Sequence, residues 1–187
     1  MSNIVLKGST SGDVTITVPA EAGSNTLTIP ASTGTMLTTV NPKAGNVIQV
    51  VQGRTKALVT TTSTSFIDTG LTATITPSST SSKILVVCNQ NGIFHSGTAG
   101  TFISLILLRG STNVTGDAAA PYLGYPHIFN SAAVARSGAH NISYLDSPNT
   151  TDATTYKVQG VNVGSFTTNY QRDAQVYSTI QLMEIAG

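Results

Sequence analysis

Charge is what this sequence has least of. Asp, Glu, Lys and Arg together make up 9% of the 187 residues, against roughly 25% in an ordinary soluble domain. The nine Lys and Arg are scattered from Lys7 to Arg172, and the net charge is +1. Binding a phosphate backbone takes a basic stripe, so nucleic acid is excluded as a partner. The only cysteine is Cys88, which rules out an intrachain disulfide framework. Set in "KILVVCN", it reads as a small core residue. The longest apolar run, "FISLILL" at 102–108, is interrupted by Ser104 and falls far short of the roughly 20 residues of a membrane-spanning helix. No membrane insertion is expected. The opening "MSNIVLKGST" has no apolar stretch behind a basic start, so no secretory signal is expected.

Catalytic signatures are missing as well. His95, His127 and His140 have no metal-site spacing of the H-x-x-x-H kind. The sequence has no G-x-S-x-G elbow, no P-loop and no dinucleotide fingerprint. The eight carboxylates are dispersed, mostly beside Gly, Ser, Pro or Asn, where capping a turn is their default role. A carboxylate pair assembled by folding, as in glycosidases, is the route to catalysis that stays open. The expectation is a non-enzyme with no catalytic residues, no cofactor and no metal.

What fills the space left by charge is threonine, at thirty residues. Threonine is β-branched and favours the pleated backbone, while its hydroxyl keeps an exposed strand face wet. With 40% hydrophobic residues the chain can still build a core, so the composition predicts an all-β protein. The first forty residues read as short alternating strands. "DVTITV" puts Val14, Ile16 and Val18 on one face, and "TLTI" repeats the pattern with Leu27 and Ile29. Pro19 and Pro30 close these runs, since proline cannot donate to a ladder. Each strand carries too few apolar residues for an independent core. The segment must therefore lie against copies of itself, the body of the protein or a larger assembly.

A boundary is expected at "NPKAGN", dividing an N-terminal Gly/Ser/Thr-rich segment, 1–44, from a body, 45–187. Strands are expected at 46–52, 55–60, 64–68, 71–76, 83–89, 101–109, 140–145, 154–163 and 175–185. Nine or so strands without a sustained helical period fit a jelly-roll-like β-sandwich. Residues 110–139 break the rhythm and concentrate Tyr122, Tyr125, His127 and Phe129. These aromatics either tuck into the edge of the core or form a recognition loop. The strands at 102–108 and 175–185 are apolar on both faces, whereas a two-sheet sandwich normally wets one. A second cover is implied, and a subunit interface through Phe102, Leu105, Leu107, Tyr177, Met183 and Ile185 is the expectation.

The opening "LKGSTSGDVTITVPAEAGSNTLTIPASTGTMLTT" resembles the Gly-Ser-Thr segment common near the start of tailed-bacteriophage fibre proteins. "VIQVVQ", "TTTSTSFIDTGLTATITPSSTSSKILV", "LLRGST", "YLDSPNTTDATTYKVQ" and "IQLMEIAG" resemble a second recurrent module of marine and cyanobacterial phage virion proteins. Each motif is compositionally simple, and their order carries the match. The resemblance implies a non-enzymatic homotrimer with β-rich stems and knobs similar to jelly rolls. The implied function is a virion structural protein: a short trimeric fibre or fibre tip for host-surface attachment. The alternative is a capsid decoration (cement) protein that stabilises the head shell. Implied partners are copies of itself, other virion proteins of tail or capsid, and a host cell-surface glycan or protein. The implied location is the virion, after synthesis in the bacterial host cytoplasm.

Overall fold

In a computed structural model, residues 4–17, 23–24, 26, 31, 42–97, 101–116, 127–128, 134–164, 166–173 and 175–187 are described. Among them are thirteen β-strands and no helix. The chain divides into two compact units, Met1–Met36 and Leu37–Gly187.

The first unit holds a hairpin of β1 (Ile4–Lys7) and β2 (Asp13–Ile16). Its register sets Ile4 against Ile16, Leu6 against Val14 and Lys7 against Asp13. Gly8 N–H donates to the Gly12 carbonyl at 2.8 Å, and Gly12 supplies the positive φ of +81° that the turn requires. Lys7 Nζ meets Asp13 Oδ2 at 3.1 Å beside the turn. Alternation gathers Ile4, Leu6, Val14 and Ile16 on one face, and all four are exposed, between 44% and 63%.

The second unit is a sandwich of two antiparallel sheets. One contains β3 (Val47–Thr55), β4 (Val59–Thr61), β6 (Lys83–Gly97), β10 (Val134–Asp146), β12 (Thr167–Tyr170) and β13 (Ser178–Ile185). The other contains β5 (Ile67–Ile75), β7 (Phe102–Arg109), β8 (Thr112–Asn113), β9 (His127–Ile128) and β11 (Thr154–Val163). The short strands lie end to end. β12 and β13 pair with successive stretches of the same side of β6, and β4 and β3 pair with them in turn. β8 and β9 likewise meet opposite ends of β7. Counted by position, each sheet is four strands wide. The first, eighth, third and sixth positions form one sheet, and the second, seventh, fourth and fifth form the other. That order is the double Greek key of a jelly roll, as the sequence suggested.

The strand boundaries differ in instructive places. The two runs expected at 64–68 and 71–76 are one strand, β5. Gly70 (φ +82°) carries the backbone through a register shift against β11, so the glycine marks a bulge and not a turn. β6 continues to Gly97, and β10 begins at Val134 inside the stretch read as loop.

The core lies between the sheets. Leu71, Ile75, Ile103, Leu105, Leu107, Tyr156 and Val158 from one meet Ile84, Val86, Cys88, Ile93, Ile142, Ile180 and Leu182 from the other. This overturns part of the interface expectation. Leu105 and Leu107 are fully buried in the core of one chain, and Ser104, Ile106 and Leu108 on the opposite face of β7 are buried as well. A strand with both faces covered inside its own chain leaves no surface for a partner there. Cys88 is a core residue, and burial pushes its thiol up to about 12.

Two buried carboxylates close one end of the sandwich. Asp146 and Glu184 both pair with Ile84, from opposite sides of β6, so the pleat turns both inward. Asp146 takes both oxygens to Arg109 Nη1 (2.9 and 2.8 Å) and accepts from Tyr156 Oη at 2.6 Å. Burial, with that carboxylate as neighbour, pushes the Tyr156 phenol far up. Glu184 accepts from Ser78 N (2.7 Å), Ser78 Oγ (2.6 Å) and Gln49 Nε2 (2.6 Å), which pins the 76–82 turn. Burial alone would push the Glu184 carboxyl up. The hydrogen bonds from Ser78 and Gln49 outweigh it and hold the group below the usual carboxylate range.

Candidate assembly and binding surfaces

Because cross-strand partners share a face, the ladder registers map the outer surface of the larger sheet. Met183 stands between Val50 and Leu85, and Leu85 stands opposite Leu145. One apolar row thus crosses all four strand positions. Ile185 adds a second row, with Val47 on one side and Lys83 on the other. Val47, Val50 and Leu145 are 55%, 58% and 50% exposed, and Leu85, Met183 and Ile185 are half-buried. The next rows turn polar: Gln52, Gln181, Val87 and Ser143, then Arg54, Thr179, Asn89 and Asn141. A contiguous apolar patch on a wet sheet face is a candidate contact surface.

The six residues expected at a subunit interface therefore separate. Met183 and Ile185 lie on this outer stripe. Tyr177 is 41% exposed beyond it, flanked by Arg54 Cζ at 5.1 Å and Lys56 Nζ at 5.6 Å from its ring centre. Phe102 is half-buried on β7, and Leu105 and Leu107 are in the core. Val50, Leu85 and Leu145 share the outer stripe and were not among the six. The alternation in "KILVVCN" does put Leu85 opposite in phase to Ile84 and Val86, but only the register shows that Val50 and Leu145 join it. Of the aromatic group, Tyr122, Tyr125 and Phe129 lie outside the described residues. His127 is placed by its backbone, paired with Ile103 in β9.

A second feature sits at the other end of the same sheet. Gly138 pairs with Ile93 and His140 with Gln90, so Asn91 and Gly92 together face Ala139. This is a β-bulge, of the kind that re-aims side chains next to functional sites. Gly92 has φ +60°, and a Cβ on it would stand 3.1 Å from both Gln171 Cα and Arg172 N. The backbone of the β12–β13 turn rests against it, with Arg172 N–H donating to Gly92 O at 3.0 Å.

That turn is braced from inside the sandwich. Gln171 is buried and holds a left-handed φ of +53°, a conformation that costs a non-glycine residue roughly 1–2 kcal/mol. Its carboxamide offsets this. Nε2 donates to the carbonyls of Thr69 and Ala57, each at 3.1 Å, while Oε1 accepts from Ser178 Oγ at 2.9 Å and from Gln90 Nε2. Gln90 Oε1 accepts from Thr69 Oγ1 at 2.9 Å, and Ser178 Oγ accepts from Asn91 N at 2.9 Å. The result is a neutral, interlocked network beneath an open cleft of about 750 Å³. Its walls are Asn91 and Gly92, Ser137–Ala139, and the turn bearing Arg172, Asp173 and Val176. The Arg172 guanidinium lies 3.5 Å over the Phe94 ring, and Asp173 Oδ1 accepts from Gln175 N at 2.9 Å. Arg172 and Asp173 form no ion pair with each other among the described residues.

Among the described residues no three His, Cys, Asp or Glu come together in a metal-binding group. No family model matches the chain, and no curated protein matches it either.

Proposed function

We propose that the protein is a non-enzymatic virion structural protein of a tailed bacteriophage, a short homotrimeric fibre or fibre tip that attaches to the host surface. The observation that carries this reading is apolar surface left for other chains: the exposed face of the β1–β2 hairpin and the outer stripe of the sandwich. A two-stranded hairpin has no stability of its own in water. The four apolar side chains on its one face are of use only when a larger body covers them, which fits a segment that docks onto the virion. The stripe fits a contact between copies of the chain. Apart from Lys83 at its end, its two rows carry no charge, so copies meet there without like-charge repulsion. The chemistry-poor composition and the ordered phage-like motifs support the same reading. The second reading is a capsid decoration protein, favoured by the exposed apolar face of the β1–β2 hairpin, which suits a segment lying along a shell.

Light scattering of the full chain at micromolar concentration tests the reading. Three times the chain mass is expected, and Val50→Glu with Leu145→Glu should return the mass to that of a single chain without lowering the melting temperature. A full-length chain that is monodisperse as a monomer overturns it. Labelling intact virions then separates tail from head: signal on the shell selects decoration, and signal on the tail selects the fibre.

A further inference from the structure

We infer that the cleft between the β6 bulge and the β12–β13 turn is a binding site for a neutral saccharide. The first argument is construction. A buried network of four polar side chains, Gln171, Gln90, Ser178 and Thr69, stands at this end of the sandwich. It holds a non-glycine residue in the left-handed region and locks the turn that presents Arg172 and Asp173. Strained backbone over-determined by its surroundings gathers at binding and catalytic sites, and side chains held by such a shell keep their aim. The wall facing the turn is kept low by small residues, Ser137, Gly138 and Ala139. The resulting volume lies within the roughly 300–1,000 Å³ of ligand clefts.

The second argument is the chemistry offered. Arg172 contributes a planar donor fork, oriented by the Phe94 ring beneath it, and Asp173 contributes an acceptor. The two charges line one cleft without pairing. A carboxylate or phosphate ligand would be attracted by Arg172 and opposed by Asp173, and an ammonium ligand the reverse. A polyol escapes the conflict. One hydroxyl accepts from the guanidinium while its neighbour donates to the carboxylate, and Ser137 stands on the facing wall to take either role. Adjacent hydroxyls on a rigid ring match that arrangement. The cleft deepens the proposed attachment role by giving it a ligand class, yet its test uses the isolated protein and is independent of virion assembly.

The experiment is saturation-transfer NMR on the full chain with the methyl glycosides of glucose, mannose, galactose and N-acetylglucosamine, and with inorganic phosphate as a control. Transfer to at least one glycoside is expected. Both Arg172→Ala and Ala139→Phe should cut it at least tenfold, the first by removing the donor fork and the second by filling the cleft with every polar group left in place. Melting curves check that both variants fold. If neither glycoside signal nor its loss is seen, the inference fails. It fails equally if the folded variants give undiminished transfer, or if phosphate displaces the bound sugar at low millimolar concentration. Trimeric mass with no saccharide binding would sink the cleft and leave the assembly reading intact.

Discussion

The β1–β2 hairpin and the jelly roll are written in the same alternating code, and only one of them buries it. In β5, Leu71, Ala73 and Ile75 alternate with Gly70, Thr72 and Thr74, and the apolar set is covered by the opposite sheet. In β1 and β2 the same alternation yields Ile4, Leu6, Val14 and Ile16, all exposed. Alternation specifies a two-sided strand. It gains nothing until a second layer supplies the cover, about 1.5–3 kcal/mol for each large side chain fully buried. The hairpin is therefore a surface seeking a partner, whereas the sandwich supplies its own.

That contrast can be broken by showing that the sandwich survives loss of its internal braces, or that it needs the hairpin. The largest expected effect is Asp146→Ala. It leaves the Arg109 guanidinium and the Tyr156 hydroxyl without their acceptor, and should destabilise the body by about 3 kcal/mol, since removing one partner of a buried pair costs roughly 3–5 and Arg109 keeps 29% exposure. Urea unfolding gives the value, and a loss below 1 kcal/mol would show that this brace is idle.

Glu184→Gln comes next, at about 2 kcal/mol near neutral pH, because a carboxylate accepting several hydrogen bonds becomes an amide. The pH dependence carries the sign. The folded pKa of Glu184 lies below its unfolded value, so its stabilisation is fully present above the ordinary value of about 4.5 and is lost as pH falls through the folded pKa. The gap between wild type and variant should close in acid. A gap that stays constant down to pH 3 would mean that Glu184 is not held as a carboxylate.

Gly92→Ala should cost about 2 kcal/mol, from its φ of +60° and the backbone of Gln171 and Arg172 at contact distance. Thermal melting reads it directly. The smallest effect on the body is expected from deleting residues 1–40. Residues 41–187 should melt within about 0.5 kcal/mol of the full chain and keep its oligomeric mass while losing incorporation into virions. An insoluble truncation would erase the distinction between the two regions.

The fold class was legible because threonine-rich alternation and closely spaced turns are local properties. The side of a strand that faces the core was not always legible. In "FISLILL" both phases are apolar, and alternation alone cannot say that Ile103, Leu105 and Leu107 point between the sheets or that Ile106 and Leu108 are covered within the same chain. The final strand is also apolar in both phases, and a glutamate, Glu184, stands in its buried phase with Ile180 and Leu182, so only the fold shows that Met183 and Ile185 face outward. Gln171, Gln90 and Ser178 gave no local signal. Their meaning depends on a bulge in β6 meeting a turn some eighty residues further on, with the pair Asn91 and Ser178 joined across 87 positions.

The order of strands in the larger sheet bears on how fast the chain can fold. β3 pairs with β13 and β4 with β12, so the strands that open the sandwich are completed only by those that finish it. Gln49 and Glu184 meet across 135 residues. Closing such loops exacts its entropy before any contact repays it, and sheet proteins dominated by distant pairings fold in milliseconds to seconds. During synthesis β3 must wait, unpaired, until β13 has been made. Its outward charge at Arg54 and the scarcity of apolar residues between Gln52 and Lys56 then limit wrong pairing while the edge is open.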